Sequence, residues 1–301
     1  MSKKFKIWID RSPEDYDMIP FLRSVVEHIT GGPTELTASR KLADIKFITE
    51  RTLRRAVVSL GPTVAKFGRV PASLLSEPQF EFLLNFHGLG RNTIFITGEN
   101  LQHPGWTGIA DLLRRTSLPR LTSWPAEIDP IGQRFPYWFS HVDWPELRDC
   151  GKREYRRYGQ LLDLEVLCQP LKPQGLRSNS VGVMVGHTKF PRDQILSKIS
   201  EGYQIVLPSK EERMQPKKEF LQKYKYAFAG ENSLGFGYCT EKVPEAWQAG
   251  CFPIGVFPTP FSDWNPSVVG LHTHEIEALE KPLLNELPTL TPVISYIARH
   301  L

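Results

Sequence analysis

The sequence predicts an α/β protein made of two halves, each with a parallel sheet covered by helices. Apolar segments of strand length alternate with segments of helical periodicity twice along the chain, and a polar stretch separates the two series. The length of 301 residues gives room for two hydrophobic cores. We therefore expect domains at residues 1–150 and 181–301, joined by an interdomain linker at 151–180.

The first half opens with a βα unit. Phe5–Ile9 is an apolar run that ends in a polar turn, and Met18–Ile29 carries apolar residues at helical spacing. Two further strands of the buried type and one helix follow before a proline-rich stretch. They are predicted at Ala43–Ile48, Thr93–Thr97 and Ile109–Thr116. The aromatic segment Pro136–Trp144 ends this half.

The linker contains a basic and aromatic segment, Lys152–Tyr158 (KREYRRY). Basic residues interleaved with tyrosine can contact RNA or an anionic membrane surface. A solvated helix between domains is the favoured interpretation. The formal net charge of +4 is small for a chain of this length, so composition gives no support to nucleic-acid binding.

The second half repeats the alternation of strand and helix. The predicted strands are Val181–Val185, Tyr203–Leu207, Tyr226–Ala229 and Cys251–Val256. The predicted helices are Asp193–Ser200, Lys217–Tyr224, Glu241–Gly250, Glu275–Leu284 and Leu290–His300. Ligands of open parallel sheets bind beyond the carboxyl ends of the strands, so the functional residues are expected in those loops.

Metal and dinucleotide motifs are weak in this sequence. Paired acids that could hold a divalent cation occur at Asp15 with Asp17 and at Asp163 with Glu165, but the first pair sits at a helix entry, where Asp is favoured for capping, and the second lies in an apolar helical run. His272 and His274 lack a third ligand nearby in the chain. Gly88-Leu89-Gly90 lacks the remaining glycine of a dinucleotide fingerprint and is interpreted as a turn.

The segment 224–250, YKYAFAGENSLGFGYCTEKVPEAWQAG, predicts a strand, a glycine-containing loop and a helix. The free backbone N–H groups and the positive end of such a helix suit a phosphate group. Thr240 is in position to be the N-cap residue. Lys242 is unusual because a cation is unfavourable in the first turn unless an anion lies beside it. A bound diphosphate would supply that anion.

The same segment resembles the donor-binding motif of the bacterial α-1,3-fucosyltransferases. The matching residues, in order, are Tyr224-Lys225-Tyr226, Glu231-Asn232, Tyr238, Thr240-Glu241-Lys242 and Ala249-Gly250-Cys251-Phe252-Pro253. Shorter similarities occur at Phe95–Asn100 (FITGEN), Arg134–Trp138 (RFPYW) and Asp263–Pro266 (DWNP), so the resemblance extends over the whole chain. After Pro253 the chain departs from the family pattern, with Gly255–Pro260 (GVFPTP) in place of the usual turn.

The resemblance implies the GT-B architecture, in which two Rossmann-like domains face each other across a cleft. It implies an enzyme that moves L-fucose from GDP-β-L-fucose to a sugar hydroxyl, O3 of GlcNAc or Glc, with inversion. Such a reaction needs a base for the acceptor hydroxyl and cations for the departing diphosphate. The alternatives are transfer of another GDP-linked deoxy sugar, or a non-catalytic protein of the same fold that binds glycans or nucleotides.

The resemblance also implies individual roles. Glu99, in the Thr-Gly-Glu-Asn sequence after a predicted strand, matches the proposed general base. Arg192 or Lys189 meets the diphosphate together with Lys242, and Glu241 accepts hydrogen bonds from the ribose hydroxyls. Asn232 and Tyr238 match polar positions near the phosphates and the fucose. On the acceptor side, Trp106 and Trp138 could stack on a sugar face, or they could be core aromatics.

No obligatory metal or other cofactor is expected, because the lysine and arginine side chains take the role of a cation. The expected partners are a GDP-sugar and a glycan or glycoconjugate acceptor, such as a protein or lipopolysaccharide O-antigen glycan, without nucleic acid. The sequence has no apolar stretch of signal or membrane-anchor length. It therefore predicts a cytoplasmic enzyme of the bacterial type with at most peripheral membrane contact.

Overall fold

The computed structural model describes residues 4–10, 18–58, 75–172, 175, 177–257, 263–271 and 275–301. These residues form two compact units, each with an all-parallel sheet. The first unit comprises residues 1–135, 146–151 and 290–301, and the second comprises 136–145 and 152–289. This confirms the α/β class predicted from the sequence.

The first unit contains a six-stranded sheet with the strand order β2-β1-β3-β4-β5-β6. Its strands are β1 (Phe5–Ile9), β2 (Thr34–Leu36), β3 (Ile45–Ile48), β4 (Thr93–Ile96), β5 (Arg120–Thr122) and β6 (Gln133–Arg134). Every residue of β3 and β4 is buried, as expected of central strands covered on both faces. β5 and β6 fall in the proline-rich stretch and were not predicted.

Helices cover both faces of this sheet. They are α1 (Met18–Thr30), α2 (Glu50–Val58), α3 (Glu77–Phe86), α4 (Thr107–Arg114) and, from the end of the chain, α10 (Thr291–Ala298). α1 buries Phe21, Leu22, Val25 and Val26 completely. Helices α2 to α4 share one apolar cluster with Ile48 and Phe95 of the sheet. The turn predicted at Gly88-Leu89-Gly90 is confirmed, with Gly88 at φ 68° just after α3.

The second unit contains a four-stranded sheet with the order β10-β9-β7-β8. Its strands are β7 (Ser178–Gly182), β8 (Ile205–Val206), β9 (Tyr224–Phe228) and β10 (Phe252–Ile254). Its helices are α5 (Leu164–Leu167), α6 (Arg192–Ser200), α7 (Lys217–Leu221), α8 (Lys242–Gln248) and α9 (Glu275–Glu280). α9 is shorter than predicted, since Pro282 disfavours helical geometry in the residue before it.

The units do not follow the predicted boundaries of 1–150, 151–180 and 181–301. The stretch 152–180 lies inside the second unit, and the last twelve residues of the chain, 290–301, complete the first. The reason is that α10 packs against the first unit. Tyr296 accepts a hydrogen bond from the backbone N–H of Arg120 at 3.0 Å, and its own hydroxyl donates to the carbonyl of Ile131 at 3.3 Å.

The segment Lys152–Tyr158 is not the solvated helix that the sequence favoured. It has no helical hydrogen bonding before a turn at its end, and Tyr155 and Tyr158 are 2% and 0% exposed. Both phenols bond to Glu245 of α8. With its aromatic rings buried, the segment offers no stacking surface to RNA, while the side chains of Lys152, Arg156 and Arg157 are exposed.

Candidate functional site

A loop connects the carboxyl end of β9 to the start of α8. β9 buries its last three residues, so the following loop begins at the edge of the core. A side chain at Gly230 would place its Cβ 2.4 Å from the ring of Phe228, which explains the glycine at this first bend. Gly237, at φ 73°, supplies a second bend that brings Thr240 back toward Glu231.

Glu231 organises this loop from a buried position. It is 1% exposed and accepts hydrogen bonds from both the backbone N–H and the hydroxyl of Thr240, each at 2.8 Å. The second carboxylate oxygen lies 3.0 Å from Nζ of Lys242. Thr240 is thus not the N-cap residue that the sequence predicted, because its hydroxyl is directed to Glu231 and α8 begins two residues later, at Lys242.

Lys242 lies among three oxygen acceptors. Its Nζ is 3.0 Å from Glu231, 2.6 Å from the Thr240 hydroxyl and 3.4 Å from Glu241. Burial opposes the charged form, but the two carboxylates outweigh it and raise the pKa of Lys242. The unusual cation in the first turn is therefore balanced by protein carboxylates, and its presence does not by itself require a bound anion.

Glu241 is the second carboxylate of the cluster and is 6% exposed. Burial alone would raise its pKa, but the charges of Lys242, His141 and Lys217 hold the pKa of Glu241 well below its ordinary value. Arg157 acts in the same direction. Glu241 is consequently an acceptor-only group at neutral pH, the form that binds hydroxyl donors.

Arg192 approaches the same cluster from the start of α6. Its guanidinium donates to the carbonyls of Gly230, at 3.3 Å, and His187, at 3.1 Å. Burial lowers the pKa of Arg192, and the charges of Glu231 and Glu241 oppose that shift. Lys189, the alternative candidate, is exposed. Of the two, Arg192 is the one held against the cluster.

The positive charges of the cluster also act on His187, which lies in the loop before α6. Burial lowers the pKa of His187, and the charges of Arg192, Lys189 and Lys242 lower it further. The imidazole is thus held neutral by the cations around it. An anion would be stabilised by those same cations.

Asn232 and Tyr238 contact each other across the loop. The phenol of Tyr238 donates to Oδ1 of Asn232 at 3.0 Å, and the Tyr238 side chain is buried. The structure therefore gathers five of the predicted donor-site residues around Glu231, and Lys189 lies at the protein surface. The five are Arg192, Asn232, Tyr238, Glu241 and Lys242.

Several charged residues behind α8 were missed by the sequence analysis. Glu245, which is 0% exposed, accepts hydrogen bonds from Lys217 and from the Tyr155 phenol. Burial, with the negative charges of Glu245 and Glu241, raises the pKa of Tyr155 well above its ordinary value, so this phenol stays protonated. Lys217 lies 28 positions before Glu245, and Tyr155 lies 90 positions before Glu245, so no local sequence motif indicates the cluster.

In the first unit, three neighbouring strands end beside carboxylates. Asp10 follows β1, Glu50 follows β3 and Glu99 lies in the loop after β4. Because the carboxyl ends of parallel strands meet at one edge of the sheet, the three acids belong to the same edge. Asp10 and Glu50 were not predicted as site residues. The signal that could have found them is their position just after an apolar strand, which they share with Glu99.

Glu99 is half-buried, and a hydrogen-bonded chain fixes its backbone. Its N–H donates to Oγ1 of Thr97 at 3.0 Å, and the Thr97 hydroxyl donates to Oε2 of Glu50 at 2.7 Å. Thr97 and Glu50 are 3% and 5% exposed, so the chain is shielded from water. The loop conformation that carries Glu99 is thereby tied to the ends of two strands.

The two tryptophans predicted for acceptor binding differ in exposure. Trp106 is partly buried against the apolar cluster of α2 to α4. Trp138 is 1% exposed, packs its ring against Phe139 and Trp264, and donates its indole N–H to Asp263 at 2.8 Å. Trp138 is therefore a core aromatic of the second unit, which is the alternative that the sequence left open, and its ring does not offer a face for stacking.

The metal candidates fall into two groups. Asp15, Asp17, His272 and His274 lie outside the described residues. Asp163 caps α5 by accepting a hydrogen bond from the backbone N–H of Glu165 at 2.9 Å. Within the described ranges, no group of three or more His, Cys, Asp and Glu side chains is arranged to hold a metal ion. The same part of the chain contains no helix with the length and apolar character needed to span a bilayer.

Two solved structures share this fold across nearly the whole chain. One, described as the crystal structure of an alpha1,3-fucosyltransferase, matches with a TM-score of 0.52 and 15% identity over 98% of this chain and 78% of its own. The other, the crystal structure of alpha1,3-fucosyltransferase with GDP-fucose, has a TM-score of 0.55 and 15% identity over 98% of this chain and 90% of its own. No protein-family model and no curated protein sequence matches the chain.

Proposed function

We propose that the protein is an inverting glycosyltransferase that moves L-fucose from GDP-β-L-fucose to a hydroxyl group of a glycan, O3 of GlcNAc or Glc. The observation that carries the proposal is the cluster at the end of β9. Residues of the fucosyltransferase-like motif meet there around Glu231, in a chain that shares its fold with an enzyme solved with GDP-fucose.

The donor roles follow from charge and hydrogen-bonding capacity. Lys242 and Arg192 neutralise the diphosphate, and the guanidinium of Arg192 suits bidentate contact with phosphate oxygens. Glu241, held ionised by its neighbours, accepts hydrogen bonds from the ribose hydroxyls. Asn232 and Tyr238 contact the phosphates and the sugar. The diphosphate competes with the acceptors that hold Lys242 when no donor is bound.

The acceptor hydroxyl needs a base as its oxygen attacks the anomeric carbon. Glu99 takes that proton in the proposal, while the bond between the sugar and the diphosphate breaks and the diphosphate leaves with the bonding electron pair. The hydrogen-bonded chain from Glu50 through Thr97 fixes the loop that presents Glu99. Trp106, partly exposed, remains the aromatic candidate for stacking on an acceptor sugar.

A transfer assay with GDP-fucose on an array of glycans tests donor, acceptor and reaction together. Transfer of fucose to glycans with a free O3 on GlcNAc or Glc is the expected result. The two alternative functions are transfer of a different GDP-linked deoxy sugar and binding without catalysis. Each gives a different experimental result. A hydrolysis screen over GDP-sugars identifies a different donor, and GDP binding without any transfer identifies a binding protein.

Lys242→Ala is expected to weaken GDP binding by about ten- to a hundredfold, the scale of one lost charge-assisted contact. Calorimetric titration with GDP measures the effect. Because Lys242 also balances Glu231, thermal melting of the variant is recorded alongside. Lys210→Ala, at an exposed position of the same unit, is the matched control and should bind GDP as the unaltered protein does. Unchanged affinity in a folded Lys242→Ala protein contradicts the phosphate role.

Transfer is expected to continue in excess EDTA, because lysine and arginine side chains meet the leaving diphosphate. Initial rates before and after chelation, with Mn²⁺ or Mg²⁺ added back, measure this. Loss of transfer that Mn²⁺ restores would instead assign a metal role to acids outside the described cluster, Asp15 and Asp17 first.

A further inference from the structure

The first unit contains a cavity at the amino ends of β4 and β5, which we call the amino-end cavity. Its volume is about 520 Å³, within the range of small-molecule sites. Phe80 and Leu84 of α3 form an apolar part of the wall, and Arg299 and His300 follow α10. Since Thr93 begins β4 and Glu99 follows its end, the cavity and the proposed base lie at opposite edges of the sheet.

Thr93, on the wall of this cavity, has an unsatisfied hydroxyl. The side chain is 3% exposed, and its Oγ1 has no hydrogen-bond partner, a condition shared in the described structure only by the indole nitrogen of Trp124. Leaving a buried polar group unbonded is unfavourable, and native proteins rarely leave such a group without a partner. By contrast, the hydroxyl of the neighbouring Thr116 donates to the carbonyl of Leu113 at 3.3 Å.

The charged side chains of the cavity favour an anion. Arg91 and Arg299 both line it, and neither forms an ion pair with an acid in the described parts of the chain. Glu81 is the acidic side chain on the wall. Burial and the charge of Arg299 lower the pKa of His300, which therefore stays neutral near pH 7 and can donate or accept a hydrogen bond.

The uncharged polar side chains suit a ligand that also carries hydroxyl groups. Asn85, Asn92 and Ser117 line the cavity beside the apolar side chains of α3. Amide and hydroxyl groups can donate to and accept from sugar hydroxyls, and the guanidinium group of arginine matches phosphate oxygens. A phosphorylated monosaccharide combines both kinds of group and is smaller than the cavity.

We propose that the amino-end cavity is a second ligand site, separate from the donor cluster, that binds a small phosphorylated sugar through Arg91, Arg299 and the Thr93 hydroxyl. The proposal does not depend on the transferase activity. It requires only that the first unit binds such a ligand equally well whether the donor cluster is occupied or empty.

Calorimetric titration of the full chain with glucose 1-phosphate tests the site. We expect saturable binding at least about tenfold tighter than glucose, with a further gain over inorganic phosphate. Arg91→Ala and Arg299→Ala should each weaken binding about tenfold or more, the scale of a lost charge-assisted hydrogen bond. Arg55→Ala, an exposed arginine of α2 in the same unit, is the matched control and should leave the affinity unchanged.

Thr93→Val separates the hydroxyl from the shape of the side chain. We expect about three- to tenfold weaker binding of glucose 1-phosphate and, without ligand, a melting temperature no lower than that of the unaltered protein, because no hydrogen bond is lost. Saturating GDP should leave the binding intact. The proposal is overturned by displacement with GDP, by equal affinity in both arginine variants, or by the absence of saturable binding up to about 10 mM.

Discussion

Replacing Glu99 with glutamine is expected to reduce fucosyl transfer by at least about a hundredfold, the scale of a lost general base. Glutamine keeps the size and the hydrogen-bonding capacity of the side chain but cannot take up the acceptor proton. GDP binding should stay unchanged, because the donor residues lie in the loop after β9 and at the starts of α8 and α6. Initial rates with GDP-fucose and a reactive glycan, together with calorimetry for GDP, measure the two properties.

Two companion variants sharpen this result. Thr97→Val removes the hydroxyl that joins Glu50 to the backbone of Glu99 and keeps the carboxylate, so a smaller loss of transfer is expected. Glu35→Gln alters a half-exposed acid on the edge strand β2 and serves as the control for the loss of one negative charge in the same unit. Full activity of Glu99→Gln removes this residue from the mechanism, whatever the donor sugar proves to be.

Lys217→Met is expected to lower the free energy of unfolding by about 3–5 kcal/mol, because it leaves the Glu245 carboxylate buried without its cation. Lys217 is 4% and Glu245 1% exposed by side chain, so water cannot replace the lost partner. Chemical denaturation followed by fluorescence measures the loss. The double variant Lys217→Met with Glu245→Gln should recover most of it, since the uncompensated charge is then gone.

The exposed pair of Lys198 and Glu201 is the matched control for this cluster. Its side chains are 65% and 68% exposed and its charged atoms are 3.6 Å apart. Lys198→Met should change the free energy of unfolding by less than about 1 kcal/mol, as solvent screens such pairs. A similarly small effect of Lys217→Met would show that the buried pair does not hold α8. Because Glu241 is the N-cap residue of α8, one turn before Glu245, a protein with a loosened α8 should also bind GDP more weakly.

The elements that could be predicted from sequence are those with an apolar pattern of their own. β4 consists of four buried residues between polar turns, and its sequence TIFI predicts a buried strand. β5 and β6, with three and two residues, are too short to have a pattern of their own. They are strands because a neighbouring strand supplies their hydrogen bonds, and that information is not local.

The candidate site was predictable where its residues are close in the chain. Glu231, Asn232, Tyr238, Glu241 and Lys242 fall within one strand-loop-helix segment, and the odd position of Lys242 pointed to a neighbouring anion. The structure supplies that anion from Glu231 and Glu241. The sequence alone could not distinguish a protein carboxylate from a bound phosphate, since both satisfy the same charge.

The return of residues 290–301 to the first unit has a consequence for the order of folding. During synthesis, the first unit must wait for the entire second unit before α10 is available to it. Until then the backbone N–H of Arg120 lacks the Tyr296 hydroxyl, and the surface that α10 covers is open to water. Because this contact spans 176 positions, its closure is entropically costly and is expected late. A ribosome stalled before Leu290 should hold a first unit that proteases cut more readily than in the finished chain.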